Sequence, residues 1–343
     1  MMEEVYKKIV QDTVKFNLGD EEARHIWRQL FEPFIPEQTS KVQIVRDQRY
    51  GPAERNVLDV YFPSNNAEPG KPVVLFMHGG GFFSGDKAWS DKYWGNIGKC
   101  FAEHGIVVVI VNHQLVPYNK DDPNNMPTGP AVKYPAGADD VQLAREWMYK
   151  NIESPDFGSG SSSKVVLFGH SSGGAHIAAN LYAAGDPERV SQQTEIFPPV
   201  AGVIYLSVPF CTRPIEGLTG DFTRFVGHLA NMITLSLVFK SQLTSWHSAR
   251  DALNLPTYIG TVQWEVQEAF DAAVAFFNTY RERSKPSGTN AIFHVLKGHN
   301  HLSNVLSIGS SDTAQASMLL EFVCTCTSTS LTPQHGSVIR SES

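Results

Sequence analysis

The stretch Val165-Val166-Leu167-Phe168-Gly169-His170-Ser171-Ser172-Gly173-Gly174-Ala175-His176 constrains this chain more than any other. Four apolar residues read as a buried strand, small residues break the pattern, and an Ala-rich helical run continues to Ala184. Inside the break lies Gly169-x-Ser171-x-Gly173. A strand that turns sharply into a helix around a serine forces that serine into strained backbone angles and leaves no room for bulk on either side. The turn lifts the hydroxyl clear of the sheet, with the amides of the following helix directed toward it. The five-residue pattern alone is a weak signal in a chain rich in Gly and Ser; the strand before it and the helix after it supply the context it requires. Ser171 is therefore the candidate nucleophile.

A serine hydroxyl attacks poorly until a base takes its proton and a third group orients that base. In the chain order serine, acid, histidine, the acid belongs just after a later strand and the histidine after the last one. Glu265, in Val262-Gln263-Trp264-Glu265, occupies the first place, and His301, in Gly298-His299-Asn300-His301, the second. A carboxylate at a helix start is also a common solvated feature, so Asp271 stands in reserve as the acid, and His299 competes with His301 as the base. His78-Gly79-Gly80-Gly81-Phe82 directly follows the apolar run Val73–Met77. Glycines there let backbone amides approach and stabilise a substrate oxyanion. The expected donors are the amides of Gly80, Gly81 and Ser172.

These motifs, with Glu265 and His301 in order, resemble the α/β-hydrolase superfamily. Within it the chain is most similar to hormone-sensitive-lipase-like carboxylesterases and kynurenine-formamidase-like esterases, over about residues 41–323. The resemblance implies an eight-stranded, mostly parallel sheet with helices on both faces, a helical cap, no cofactor, and hydrolysis through an acyl-enzyme. It puts the catalytic roles on Ser171, Glu265 and His301 and the oxyanion hole on Gly80, Gly81 and Ser172. His170 stands where lipase-like members carry Asp, and together with His176 it looks more like the formamidase branch. Val111-Asn112-His113-Gln114-Leu115 replaces an Asp-Tyr-Arg-Leu-type segment, and the acid is Glu rather than Asp. The expected substrate is a small-molecule ester with a mostly apolar acyl or aryl group. An aryl formamide or a biosynthetic hydrolase or cyclase substrate is the alternative. A non-catalytic ligand-binding receptor on this fold is a reading of another class, against which a histidine at 301 argues.

The rest of the chain fits one α/β domain. Residues 1 to about 40 read as a helical arm, with Ile26, Trp27, Leu30, Phe31 and Phe34 on one face and Pro33 and Pro36 ending it. Strands are expected at Lys41–Arg46, Val57–Phe62, Val73–Met77, Ile106–Val111, Val200–Val208, Thr257–Val262 and Ala291–Leu296, and helices at Ala269–Tyr280 and Ala314–Val323. Pro117 to Pro135 is a long polar loop, and Gly158 to Ser163 a flexible linker. A helical lid is expected at about 209–255, where Phe222, Phe225, Val226, Leu229, Met232 and Ile233 recur at helical spacing. The arm and the lid are expected to wall the substrate pocket. The Ser/Thr-rich tail from Cys324 to residue 343 reads as disordered, with Cys324 and Cys326 inert in it. Strands alternating with helices argue for a parallel sheet covered on both faces.

Composition narrows the function further. Net charge is −7 and no Lys/Arg cluster occurs, which leaves no basic field for nucleic acid. Four scattered cysteines make no disulfide framework, the first residues lack a secretory apolar run, and no segment has the uninterrupted apolar length of a membrane span. The expected compartment is the cytoplasm. No H-E-x-x-H occurs, and His299-x-His301 has no evident carboxylate or cysteine partners in sequence for zinc, so no metal site is expected. Gly95-Asn96-Ile97-Gly98-Lys99 is too short for a phosphate loop.

Overall fold

A computed structural model describes residues 2–13, 21–37, 41–65, 68–90, 92–115, 132, 135–182, 196–210, 255–284 and 289–328. Eight strands form one sheet in the order β1-β2-β4-β3-β5-β6-β7-β8. They are β1 Val42–Arg49, β2 Val57–Pro63, β3 Lys71–Met77, β4 Val107–Val111, β5 Gly160–His170, β6 Gly202–Leu206, β7 Thr257–Trp264 and β8 Ile292–Asn300. β2 is antiparallel to both β1 and β4; every pairing from β4 through β3, β5, β6 and β7 to β8 is parallel. The expected mostly parallel α/β sheet is the observed one.

Alternation along the central strands sorts side chains onto two faces. Val73, Leu75 and Met77 of β3 enter one core with Val107, Val109 and Val111 of β4. Val74, Phe76, Val108, Ile110, Val166 and Phe168 enter the other. Because both faces are covered, β4 is an unbroken β-branched run, and all five of its side chains are fully buried. Each such burial contributes about 1.5–3 kcal/mol. Against the first face pack α4 (Ala136–Asn151), α5 (Ser172–Tyr182) and α6 (Gln267–Arg283). The second face is covered by α3 (Gly95–Glu103), the short α7 (Ser303–Leu306) and α8 (Ala314–Ser328).

The arm joins this second core. It consists of α1 (Met2–Thr13) and α2 (Glu21–Phe31), closed by a single 3-10 turn at Glu32–Phe34. Ile9, Trp27 and Phe31 are buried, and Lys92 Nζ donates to Glu32 O at 2.6 Å, tying the arm to the segment before α3.

Three expectations need correcting. Residues 160–163 are not part of a linker: the nucleophile strand begins at Gly160, and only Gly158, at φ 86°, caps the turn before it. The reason is register, since Gly160 pairs with Lys71 across a bulge. The closing helix passes Val323 and runs to Ser328, so Cys324 and Cys326 lie on α8. Cys326 packs toward Gly202, its Sγ 2.8 Å from where a Cβ on that glycine would stand, and burial pushes its thiol up to about 11. β7 runs to Trp264 rather than Val262, through a register shift against β8. The lid segment 211–254, most of the loop between Pro117 and Pro135, and residues 329–343 lie outside the described residues. Among the described residues no helix is long and apolar enough to cross a membrane.

Candidate active site

Parallel strands deliver their C-terminal ends to one edge of the sheet, and there the separate motifs meet. β5 ends at His170, and Ser171 turns the chain into α5 with φ 51°, left-handed backbone that a residue with a side chain rarely adopts. The turn is over-determined by its neighbours. Ser171 N donates to Leu206 O at 2.9 Å, and Gly174 N donates back to Ser171 O at 3.0 Å. The flanking glycines are there for close approach: a Cβ on Gly169 would stand 2.3 Å from Gly174 Cα, and one on Gly173 would stand 2.3 Å from Met77 O. Neither contact leaves room for a methyl group.

The glycine loop after β3 lies against this turn, since a Cβ on Gly79 would meet Ser171 Cβ at 2.8 Å. Gly80 (φ 139°), Gly81 (φ 62°) and Phe82 (φ 72°) follow in left-handed backbone, and Phe83 N and Ser84 N close back on Gly80 O. Among the described residues, no backbone carbonyl receives the amides of Gly80, Gly81 or Ser172. An amide without an internal partner must find a ligand or water; Ser172 is buried, while Gly80 and Gly81 are partly exposed.

Glu265 follows β7, and His301 follows β8. His301 Nε2 lies 2.9 Å from Ser171 Oγ, and His301 Nδ1 lies 2.6 Å from Glu265 Oε1. Val266 N donates to the same carboxylate oxygen at 3.0 Å, and Thr261 Oγ donates to the other at 3.3 Å. The carboxylate accepts and cannot donate while ionised, so Nδ1 carries the proton and Nε2 is left to accept from the serine hydroxyl. The glutamate side chain is 2% exposed and that of His301 9%, so the pair works largely out of water. His299 has both ring nitrogens engaged elsewhere, with Asp312 and Ser303. Asp271 lies exposed on α6, remote from this exchange of hydrogen bonds.

Several supporting residues carry no sequence motif. His170 Nε2 donates to His301 O at 2.9 Å, bracing that residue's backbone. Asn300 Oδ1 accepts from Leu302 N and Ser303 N, and Asn304 Nδ2 donates to Ser207 Oγ at 2.8 Å. Asp312, which no spacing links to His299, pairs with it from twelve residues beyond β8. Only the backbone spacing that begins with Asn300-x-x-Ser303, a common turn pattern, hinted at any of this.

Beneath the glycine loop lies a file of buried histidines. The ring centroids of His78 and His113 are 4.6 Å apart, and those of His113 and His176 are 4.9 Å apart. Burial, then the proximity of His113, pushes His78 down to about 3; burial, then His301, does the same to His170. Burial likewise lowers His113 and His176. All four are neutral in the folded protein and acquire protons near 6.5 on unfolding. Their depressed values favour the fold above that pH, and the contribution is lost as pH falls below it, down to about 3 for His78 and His170. Urea unfolding midpoints are expected to drop between pH 8 and pH 5.5; equal midpoints would mean that the rings protonate in place.

Known proteins resemble this chain in part of its sequence and in its fold. The BD-FAE family model matches residues 58–199, which hold the glycine loop and the serine turn. The isoprenylcysteine alpha-carbonyl methylesterase ICME of Arabidopsis thaliana is 34% identical over 137 residues, 40% of this chain and 27% of that protein. Venom carboxylesterase-6 of Apis mellifera is 33% identical over 123 residues, 35% of this chain and 19% of that one. The matched region thus spans about a quarter or less of these relatives' length. In structure, esterase B of Lactobacillus rhamnosis superposes with a TM-score of 0.61 at 15% identity, over 95% of both chains. A thermostable esterase of Pseudomonas putida gives 0.61 at 16% identity, over 94% of this chain and 96% of that one. Sheet order and structural neighbours together give this chain the α/β-hydrolase fold, and the sequence matches make it similar to carboxylesterases over the stretch they cover.

Proposed function

We propose that the chain is a serine hydrolase cleaving carboxylic esters that carry a small, mostly apolar acyl or aryl group. The observation that carries this reading is the single imidazole of His301, bonded at once to Ser171 Oγ and Glu265 Oε1. Ser171 Oγ attacks the ester carbonyl as its proton passes to His301 Nε2. Negative charge gathers on the carbonyl oxygen, which the amides of Gly80, Gly81 and Ser172 receive. When the C–O bond breaks, His301 returns the proton to the departing alkoxide, leaving an ester on Ser171. Water then attacks that acyl-enzyme, His301 takes one of its protons, and the acid leaves as the serine recovers its hydroxyl. Glu265 stays ionised throughout, stabilising the imidazolium. Esterases among the relatives support the bond type; neither they nor the site geometry names the alcohol.

A fluorophosphonate probe is expected to label Ser171, located by peptide mapping. A panel of methyl, short-chain aryl and acetyl esters should be turned over faster than aryl formamides. Turnover of formamides alone would replace the ester reading with the formamidase one. In the same assay His301→Ala should cost several orders of magnitude in kcat, whereas His299→Ala should be far milder. The reverse ranking would move the base to His299.

A further inference from the structure

His299 is unusually well held for a residue with no place in the reaction. Its Nε2 lies 2.9 Å from Asp312 Oδ2 and its Nδ1 3.1 Å from Ser303 Oγ. Tyr6, from α1, meets the ring edge-on with centroids 5.6 Å apart, and Phe31, the last residue of α2, stacks on it at 6.4 Å and 20°. Burial, then the nearby Asp312 carboxylate, raises the Tyr6 hydroxyl well above its ordinary range and keeps it protonated. Both helices of the arm thus contact one imidazole, two residues before the base.

The segment between them is rigid. Gly298 turns at φ 81°, with the Tyr6 ring 3.6 Å from where a Cβ would stand. Asn300 N donates to Ser303 Oγ at 2.8 Å, and Asn300 Oδ1 accepts from the amides of Leu302 and Ser303. Asp312 accepts from Ala314 N at 3.3 Å as well, so the same carboxylate starts α8. Its side chain is 4% exposed. Burial opposes its charge, but hydrogen bonds from His299 and Tyr6 outweigh that and hold the carboxyl below its ordinary range. A buried carboxylate that loses one of few donors is strongly destabilised or moves.

We propose that Tyr6, Phe31, His299 and Asp312 form a clamp through which the N-terminal arm fixes loop 298–303, making Tyr6 a positioning residue for His301. The clamp rests on the reading of His301 as the base. It acts through geometry: His301 must satisfy Glu265 and Ser171 together, and a shift of about 1 Å in such an arrangement costs up to about a hundredfold in rate. The arm assists the reaction from beside the histidine loop, in addition to any wall it provides for substrate.

Tyr6→Phe in the full chain is the test, because the ring stays on His299 and only the hydroxyl is lost. Its kcat on a hydrolysed ester is expected to fall about tenfold with KM unchanged. The downfield proton resonance of His301 Nδ1–H, assigned by its loss in Glu265→Gln, should broaden through faster exchange with water. A kcat within about twofold of the parent together with an unaltered resonance would overturn the clamp, and so would a loss confined to thermal stability. Failure of the parent to hydrolyse any ester would instead sink the serine hydrolase reading, and the proton resonance would still decide for or against the clamp.

Discussion

Ser171→Ala is expected to lower kcat by about a million-fold, the scale seen when a nucleophile is removed from a triad acting as a unit. The serine is the one group at the site whose oxygen both bonds His301 Nε2 and sits at the sharp turn between β5 and α5. The substitution should be silent structurally. Alanine inherits the same φ of 51°, so the strain of the turn is unchanged, and the backbone bonds to Leu206 O and from Gly174 N remain. Only one side-chain hydrogen bond to a partly buried histidine is lost, worth about 0.5–1.5 kcal/mol. Residual hydrolysis above the water rate should persist, since the amides of Gly80, Gly81 and Ser172 would still polarise a bound carbonyl. The measurement is kcat on an ester that the parent hydrolyses, with the unfolding temperature recorded beside it. Undiminished turnover would remove Ser171 from the mechanism.

Glu265→Gln should lower kcat by about a hundredfold to ten-thousand-fold. The upper figure belongs to an amide that turns its nitrogen toward His301 and forces the wrong tautomer. Here the Val266 amide donates to the oxygen that His301 also uses, and that donor favours keeping an oxygen in place. The charge that stabilises the imidazolium is lost in either orientation. Glu265→Asp keeps the charge but withdraws the carboxylate by one methylene, and a misplacement of about 1 Å should cost one to two orders of magnitude. Asp271→Asn should be neutral, because that side chain is exposed on α6. An inactive Asp271→Asn beside a normal Glu265→Gln would show that the acid had been misassigned.

The two largest effects fall on residues that were legible before any coordinates, and the reason is local. A G-x-S-x-G turn, a His-Gly-Gly-Gly run and a period-two apolar alternation are each specified over a few adjacent residues by backbone conformation and burial. The Val107–Val111 run reads as a doubly covered strand because nothing but two apolar faces accommodates it. Local sequence therefore suffices to expect the sheet, the sharp turn at Ser171, and the order in which Glu265 and His301 follow.

What only the tertiary structure decided lies between segments far apart in the chain. His299 and His301 are two residues apart, and sequence favoured His301 by chain position while leaving His299 as a competitor. The choice depends on where β8 ends relative to β5, which aims His301 at Ser171 and leaves His299 with Asp312. Glu265 meets His301 because β7 runs past a register shift to Trp264, a displacement that hydrophobic pattern does not encode. Residues 160–163 look like a linker by composition, yet pairing with β3 makes them strand, since backbone hydrogen bonding across a sheet overrides weak local propensity. The same holds for the arm. Its apolar spacing announced a helix with a face to bury, but that the face is buried beside the histidine loop, with Tyr6 and Phe31 on His299, is set by packing of residues nearly 300 positions apart. Local sequence determines which backbone shapes and side-chain chemistries are available; the closing of the sheet determines which of them meet.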